Sequence, residues 1–129
     1  MKRQLLIIAT LDTKGREAGY VRKCAIKLGA QPVVMDIGVV GKPLTKPDIT
    51  NGELANTAGY NLDELIRLHD RPLAIKALQE GGRVVANRLL KQNRIDGIIG
   101  LGGGTGTSVV SSIMRSLPFG LPKIIVSTM

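Results

Sequence analysis

The sequence is poor in aromatic residues and almost free of cysteine. Only 2% of its 129 residues are aromatic, and Cys24 is the single cysteine. One thiol cannot form an internal disulfide, and a core with so few rings must be built from aliphatic side chains, as buried parallel sheets are. Proteins that bind single-stranded nucleic acid usually stack bases on aromatic side chains. The composition therefore disfavours nucleic acid as a partner.

Long hydrophobic runs and acidic residues are also scarce. No run reaches the roughly 18 apolar residues that a membrane span needs, and the N-terminal stretch lacks a signal-peptide pattern, so we expect a cytoplasmic protein with no membrane association. Asp and Glu number 10 against 18 Lys and Arg, which gives a formal net charge of +8. Such a balance favours anionic ligands or an acidic partner.

The hydrophobic patterning that is present predicts an α/β fold. Apolar runs typical of buried strands cover residues 4–10, 32–38, 96–101 and 122–129. Segments with helical spacing lie between them, and Gly29 is placed to end the first of these. We expect one nucleotide-binding domain over residues 1–129: an open, parallel, Rossmann-like or flavodoxin-like sheet of about four strands, in the order 2-1-3-4 with helices on both faces.

Residues 38–69 interrupt this alternation. The stretch opens with two prolines, and its segment from Thr50 to Glu53 reads as a capping box for a short helix. Long excursions between core elements are uncommon and often functional, so we interpret this one as a lid or an oligomer contact. Because the last predicted strand has no helix after it, we also expect the chain to be the N-terminal part of a longer protein and to self-associate.

Glycine is concentrated after the third predicted strand, with five glycines in the seven positions 100–106. Two explanations remain open at this point: close packing of the strand against the next helix, or a cradle of backbone N–H groups for a phosphate at the helix N-terminus. The stretch matches neither the G-x-G-x-x-G fingerprint nor the P-loop. The candidate phosphate contacts are Gly102, Gly103, Gly104, Thr105, Gly106 and Thr107.

A second candidate segment, "LDTKG", follows the first strand. Asp12, Thr13 and Lys14 are the kinds of residue that hold Mg²⁺, a phosphate oxygen and its charge, although each is equally suited to a helix cap or a surface position. Asp36, at the end of the second strand, stands where a ribose-binding acid would be expected. In the order 2-1-3-4, the loops 11–15 and 101–107 meet, with residues 127–129 beside them. His69 has no visible triad partner, and we predict a loop or helix-start position for it.

Several motifs occur in a recognisable order: "IATLDTKG", "DIG", "DIT" with "ELANTAG", "DR", "RIDGIIGLGGGTGT" and "PKIIVSTM". This set resembles the N-terminal ATP-binding domain of the tomato mosaic virus resistance protein-like family, most of whose members are uncharacterised. The resemblance implies an α/β nucleotide-binding domain, ATP with Mg²⁺ as the ligand, and a longer parent chain. The positions that it implies for the ligand are Asp12, Thr13, Lys14, Gly15, Gly102, Gly103, Thr107, Ser127 and Thr128.

Our first hypothesis is therefore a nucleotide-binding module, with ATP phosphates on residues 102–107 and Asp12 as the metal contact. Two alternatives stay open. One is an enzyme, such as a ligase, kinase or hydrolase, that acts on a small phosphate-bearing metabolite in the same cradle. The other is a basic interaction module for an acidic protein or RNA.

Overall fold

The computed structural model describes residues 2–128. Met129, which the sequence placed at the end of the fourth strand, lies outside the described residues. The strands are β1 (Gln4–Ala9), β2 (Gln31–Asp36), β3 (Gly97–Gly102) and β4 (Lys123–Ser127), and the helices are α1 (Leu11–Lys27), α2 (Asn51–Thr57), α3 (Leu62–Arg67), α4 (Arg71–Lys91) and α5 (Gly104–Arg115).

The four strands form one sheet in the order β2-β1-β3-β4, and all three neighbouring pairs are parallel. The predicted α/β class, strand order and strand direction are therefore confirmed. Parallel neighbours need a crossover connection, and helices provide it here, as in other α/β sheets. β1 and β3 occupy the centre, so their carboxyl ends open on the point where the strand order reverses.

Helices cover the sheet on both sides, as predicted. On one side, α1 packs through Leu11 and Ala18 on Ile7, Ala9 and neighbouring strand residues. On the other side, a larger aliphatic core joins the sheet to α2, α3, α4 and α5. Alternate strand residues point to opposite faces, which is why a nearly continuous apolar run such as β1 can fill both cores.

The excursion at residues 38–69 contains two short helices, α2 and α3, and α2 has the capping box that the sequence predicted. The Thr50 hydroxyl accepts a hydrogen bond from the Glu53 N–H at 3.1 Å, and the Glu53 carboxylate accepts from the Thr50 N–H at 3.4 Å. α2 packs directly on α4: a Cβ at Gly81 would clash with the carbonyl of Leu54. Gly81 thus allows the excursion to approach the backbone of α4, whereas a Cβ at the neighbouring Gly82 would clash with Ile113 of α5.

The first βα connection differs from the prediction. Residues 11–15 were expected to form a loop, but α1 already begins at Leu11, so Thr10 alone separates it from β1. The reason is a cap that local sequence does not reveal: the Asp36 carboxylate at the end of β2 accepts a hydrogen bond from the Leu11 N–H. Lys14 departs from helical geometry (φ −115°, ψ 17°) and marks a kink in this first part of the helix.

Among residues 2–128, no helix is long and apolar enough to cross a membrane.

Candidate functional site

Two helices begin where the central strands end. α1 follows β1 through Thr10, and α5 follows β3 through Gly103. Because β1 and β3 are adjacent and the strand order reverses between them, both helix N-termini border the crevice in which open α/β sheets usually bind ligands. Helix N-termini attract anions through free N–H groups and the helix dipole.

The N-terminus of α1 is already occupied by an acid of the protein itself. Asp36 is 3% exposed, and its Oδ1 accepts hydrogen bonds from the N–H of Leu11 at 3.1 Å and of Gly38 at 2.8 Å. Burial raises the pKa of Asp36, the two backbone hydrogen bonds act to lower it, and the nearby charge of Asp12 raises it further. Asp36 therefore connects β2, α1 and the start of the excursion, and it does not line the crevice.

Asp12, in the first turn of α1, has two carboxylate oxygens in different situations. Its Oδ2 accepts hydrogen bonds from the N–H groups of Val40 at 2.9 Å and Gly41 at 3.0 Å. Its Oδ1 is buried and has no hydrogen-bond partner among the described residues. This oxygen lies against Gly38, where a Cβ would be 2.5 Å from it. Since buried polar atoms are nearly always paired, Oδ1 is the unusual atom of the site.

The N-terminus of α5 has no such acid. Its first turn contains no acidic residue, its N-cap is Gly103, and no side chain caps it. Within residues 2–128, no carbonyl accepts a hydrogen bond from the N–H groups of Gly104, Thr105 or Gly106, as expected for the first turn of a helix. Of the two helix ends at this edge, α5 is therefore the one that can still accept an anion.

These groups surround a small cavity of about 190 Å³, which we call the first cavity. It brings Asp12 and Thr13 of α1 together with the glycine-rich turn, as the order 2-1-3-4 predicted. Arg71, the first residue of α4, supplies a cation, and its Nη2 lies 3.5 Å from Thr105 Oγ1. The lining consists of Thr10, Asp12, Thr13, Ile37, Val39, Val40, Arg71, Gly103, Gly104, Thr105 and Gly106.

A larger cavity of about 440 Å³ adjoins the first. We call it the second cavity. Val39, Val40 and Arg71 line both cavities, so the two share a wall. The remaining lining of the second cavity comes from α3, the α3–α4 turn and α4: Leu65, Ile66, His69 and Ala74.

The glycines of the cluster differ in what packs against them. A Cβ at Gly102 would lie 2.8 Å from backbone atoms of Gly106 and Thr107, and one at Gly100 would clash with the Val110 side chain. Close packing of β3 on α5 therefore accounts for these two. Among residues 2–128, a Cβ at Gly103 would meet only Thr128 Oγ1, at 3.8 Å, which is an ordinary contact. Packing gives no reason for glycine at 103, where the backbone faces the first cavity.

Several predicted site residues lie beside the first cavity without lining it. Gly15 packs against Leu44 of the excursion, where a Cβ would be 2.6 Å from the Leu44 Cβ. The Thr107 hydroxyl is 2.8 Å from the Ser127 hydroxyl, which connects α5 to β4. The group that does not line the first cavity consists of Lys14, Gly15, Asp36, Gly102, Thr107, Ser127 and Thr128.

The sequence analysis did not identify Arg71, Val39 or Val40 as residues that line the cavities. The signal for Arg71 was present: Asp70 caps α4 by accepting from the Leu73 N–H at 3.2 Å, which fixes Arg71 at the start of the helix. That α4 begins beside the crevice follows only from the path of the excursion. The positions of Val39 and Val40 could not be predicted either, because their turn is held by a hydrogen bond from the Val40 N–H to the Asp12 carboxylate, 28 residues away in the sequence.

Comparison with known proteins gives a consistent result. The N-terminal domain model of an uncharacterised protein family, UPF0261, matches residues 3–129. A UPF0261 protein of Clostridium tetani is 40% identical over 129 residues, which are 100% of this chain and 32% of that protein. One from Rhizobium meliloti is 36% identical over 129 residues, or 100% of this chain and 31% of that protein. The chain therefore spans about a third of the length of these curated relatives.

The tomato protein also matches, but only in part. The ToMV resistance protein Tm-1 of Solanum lycopersicum is 43% identical over 58 residues, which are 45% of this chain and 8% of that protein.

Proposed function

The chain belongs to the uncharacterised UPF0261 family, and on that premise we propose that it binds a phosphate-bearing nucleotide, ATP with Mg²⁺, in the first cavity. The observation that carries the proposal is the convergence of three features there. They are the uncapped N-terminus of α5, the guanidinium of Arg71, and Gly103, where no packing contact requires glycine.

The electrostatics favour an anion at α5. A phosphate there accepts hydrogen bonds from backbone N–H groups and gains from the positive end of the helix dipole. Arg71 adds a full positive charge, and guanidinium groups match phosphate oxygens in geometry. The hydroxyls of Thr10 and Thr13, 2.8 Å apart, belong to residues of the same lining and are further hydrogen-bonding groups.

The residues present fit a magnesium ion that arrives with the phosphates. Asp12 offers one buried carboxylate oxygen with no partner among the described residues. Over the same part of the chain, no cluster of three or more His, Cys, Asp or Glu side chains could form a complete protein site. Mg²⁺ is commonly held by one or two carboxylates together with substrate phosphates. When bound, such an ion would neutralise phosphate charge beside Asp12.

The choice of ATP comes from the motif resemblance to the tomato mosaic virus resistance protein-like family, and the 58-residue similarity to Tm-1 supports that link in part. Asp36 is left out of the proposed contacts because it is buried and accepts two backbone hydrogen bonds. Lys14 lies outside the cavity lining, so we assign the phosphate charge to Arg71 instead.

Calorimetric titration of the chain with Mg²⁺-ATP tests the proposal, with adenosine as the ligand that lacks phosphates. At a hundredfold excess over Kd, a bound ligand stabilises the folded state by about 2.7 kcal/mol. We expect Mg²⁺-ATP to raise the unfolding temperature accordingly and adenosine to bind far more weakly. Equal affinity for the two ligands, or no heat with Mg²⁺-ATP, would refute the phosphate site.

A second proposal concerns a partner surface on β4. In the parallel register, Ile124 and Val126 stand beside Ile99 and Leu101, which belong to the core under α1. Yet Ile124 is 61% and Val126 49% exposed. We propose that this apolar strip is covered in the longer UPF0261 proteins by their remaining two thirds. Ile124→Lys should then be neutral in the 129-residue chain, whereas the matching change in a full-length relative should lower its stability; a neutral result in both would contradict the proposal.

A further inference from the structure

The first cavity is too small for a whole nucleotide. Its volume of about 190 Å³ falls below the ordinary range of small-molecule sites, about 300–1,000 Å³, whereas the second cavity, at about 440 Å³, lies within it. Because Val39, Val40 and Arg71 line both cavities, the two are neighbours, and a ligand with its phosphates in the first cavity would reach the second past these three side chains.

We propose that the second cavity binds the base of the nucleotide and that His69 is a direct contact to that base. The inference rests on the phosphate site proposed above. Most of the lining is aliphatic, with Leu65, Ile66 and Ala74 beside the shared valines. Such a surface suits the faces of a flat heterocycle, and it is unsuited to a second phosphate because its only charged side chain is Arg71, on the wall shared with the first cavity.

The backbone at His69 gives an independent reason to look there. Among residues 2–128, four have positive φ: Gly29 (86°), Gly59 (87°), His69 (57°) and Asn93 (57°). Each follows the C-cap of a helix, and in each case its own N–H and the N–H of the next residue donate hydrogen bonds to carbonyls of the last turn. Glycine, or sometimes asparagine, is usual at this position.

A Cβ makes the left-handed conformation less favourable, so His69 and Asn93 adopt this backbone at a cost that Gly29 and Gly59 do not have, although His and Asn are the side chains that accept it most readily. The backbone of His69 does only what glycine would do: the His69 N–H donates to the Ile66 carbonyl at 3.0 Å, and the Asp70 N–H donates to Leu65 at 2.9 Å. Helix termination does not need an imidazole here. The side chain adds an aromatic ring to the wall of the second cavity. Aromatic rings stack on any nucleic-acid base, because every base has a π-face.

The variant His69→Gly tests the assignment because it separates stability from binding. Glycine suits the left-handed position better, so the variant should unfold at an equal or higher temperature than the parent chain. Asn93→Gly is the matched control, since it makes the same backbone change at a helix end that lines neither cavity. Ile66→Ala is a second probe: it trims a 40% exposed wall residue of the second cavity alone.

The chain and its variants are titrated with Mg²⁺-ATP and with inorganic tripolyphosphate plus Mg²⁺. Loss of stacking on a base is expected to weaken Mg²⁺-ATP by about 10-fold or more in His69→Gly, with less than about a twofold change for tripolyphosphate. Ile66→Ala should weaken Mg²⁺-ATP in the same selective way, and Asn93→Gly should change neither ligand.

The outcomes distinguish this inference from the phosphate proposal. If neither probe binds the parent chain, the phosphate site is refuted and the base site is refuted with it. If both bind and neither His69→Gly nor Ile66→Ala alters the ratio of the two affinities, the base site alone is overturned. Selective weakening of Mg²⁺-ATP by His69→Gly and Ile66→Ala, with Asn93→Gly unchanged, establishes it.

Discussion

Two neighbouring glycines between the end of β3 and the start of α5 give the sharpest test of the phosphate site, because packing requires one of them and not the other. The pair is Gly102→Ala and Gly103→Val. A Cβ at 102 would lie 2.8 Å from three backbone atoms of the first turn of α5, whereas, in the described part of the chain, a Cβ at 103 meets only Thr128 Oγ1 at 3.8 Å. The first substitution should damage the fold, and the second should damage binding.

The expected magnitudes differ enough to be measured. Overpacking against backbone costs about 1–3 kcal/mol, and a chain of this size loses about 4 °C in unfolding temperature per kcal/mol. Gly102→Ala should therefore unfold about 4–12 °C lower than the parent chain. Valine at the N-cap of α5 typically costs about 1 kcal/mol, so Gly103→Val should unfold about 4 °C lower than the parent chain.

Binding should follow the opposite order. Gly103 lines the first cavity, and among residues 2–128 a Cβ there would meet Thr128 Oγ1 at an ordinary 3.8 Å. Loss of one hydrogen bond to a charged phosphate costs about 1.5–3 kcal/mol, which corresponds to about a 10- to 150-fold weaker Kd. We expect that loss for Gly103→Val, measured by calorimetric titration with Mg²⁺-ATP at a temperature where both variants are folded.

Two results would refute the reasoning. If Gly103→Val binds Mg²⁺-ATP as the parent chain does, the N–H groups at the start of α5 are not the phosphate contacts. If Gly102→Ala unfolds at the parent temperature, close packing does not explain that glycine, and the division of the cluster into packing and binding positions is wrong.

Three further predictions use the same preparations. Arg71→Ala should weaken binding of Mg²⁺-ATP by about 10-fold or more, because a charged hydrogen bond is lost. Lys14→Ala, at a position outside the cavity lining, should change the Kd less than about threefold. The reverse order would mean that Lys14, and not Arg71, contacts the phosphates. Burial raises the pKa of Asp36 in the folded chain above its ordinary 3.8. The contribution of Asp36 to the free energy of unfolding is therefore full below pH 3.8, where the carboxyl is protonated, and it is lost as pH rises through the pKa of the folded state. Asp36→Asn, which keeps an acceptor oxygen, should therefore remove this decline in urea-unfolding curves taken from pH 4 upward, and an unchanged pH profile would argue against the assignment. Gly81→Ala should destabilise the fold by about 1–3 kcal/mol, because its Cβ would meet the Leu54 carbonyl, and a neutral result would mean that α2 does not press on α4.

The sheet could be predicted from sequence because each signal is local. Apolar runs of strand length, the Thr50–Glu53 capping box and the glycine at the end of α1 are short-range features, and the parallel crossovers then follow from their alternation. The meeting of Asp12 with the turn after β3 could also be predicted, because it depends only on strand order.

The rest of the site depends on contacts between residues far apart in the sequence. Asp36 was interpreted as a ribose contact from its position at a strand end, but its carboxylate caps α1, 25 residues away in sequence. Arg71 and the valine wall reach the crevice through the path of the excursion, which no periodic pattern encodes. His69 gave no signal beyond its isolation, because a left-handed backbone is visible only in three dimensions.

The divided carboxylate of Asp12 has a consequence for cooperativity. One oxygen holds the turn that carries Val40, which lines both cavities, and the other oxygen has no partner among residues 2–128. If the proposed magnesium ion binds the second oxygen, it withdraws charge from the first, and binding of the ion is then linked to the strength of the hydrogen bonds that hold the turn. Such linkage is reciprocal. The factor by which the ion would change the stability of the turn equals the factor by which ordering or disordering of the turn would change the affinity for the ion.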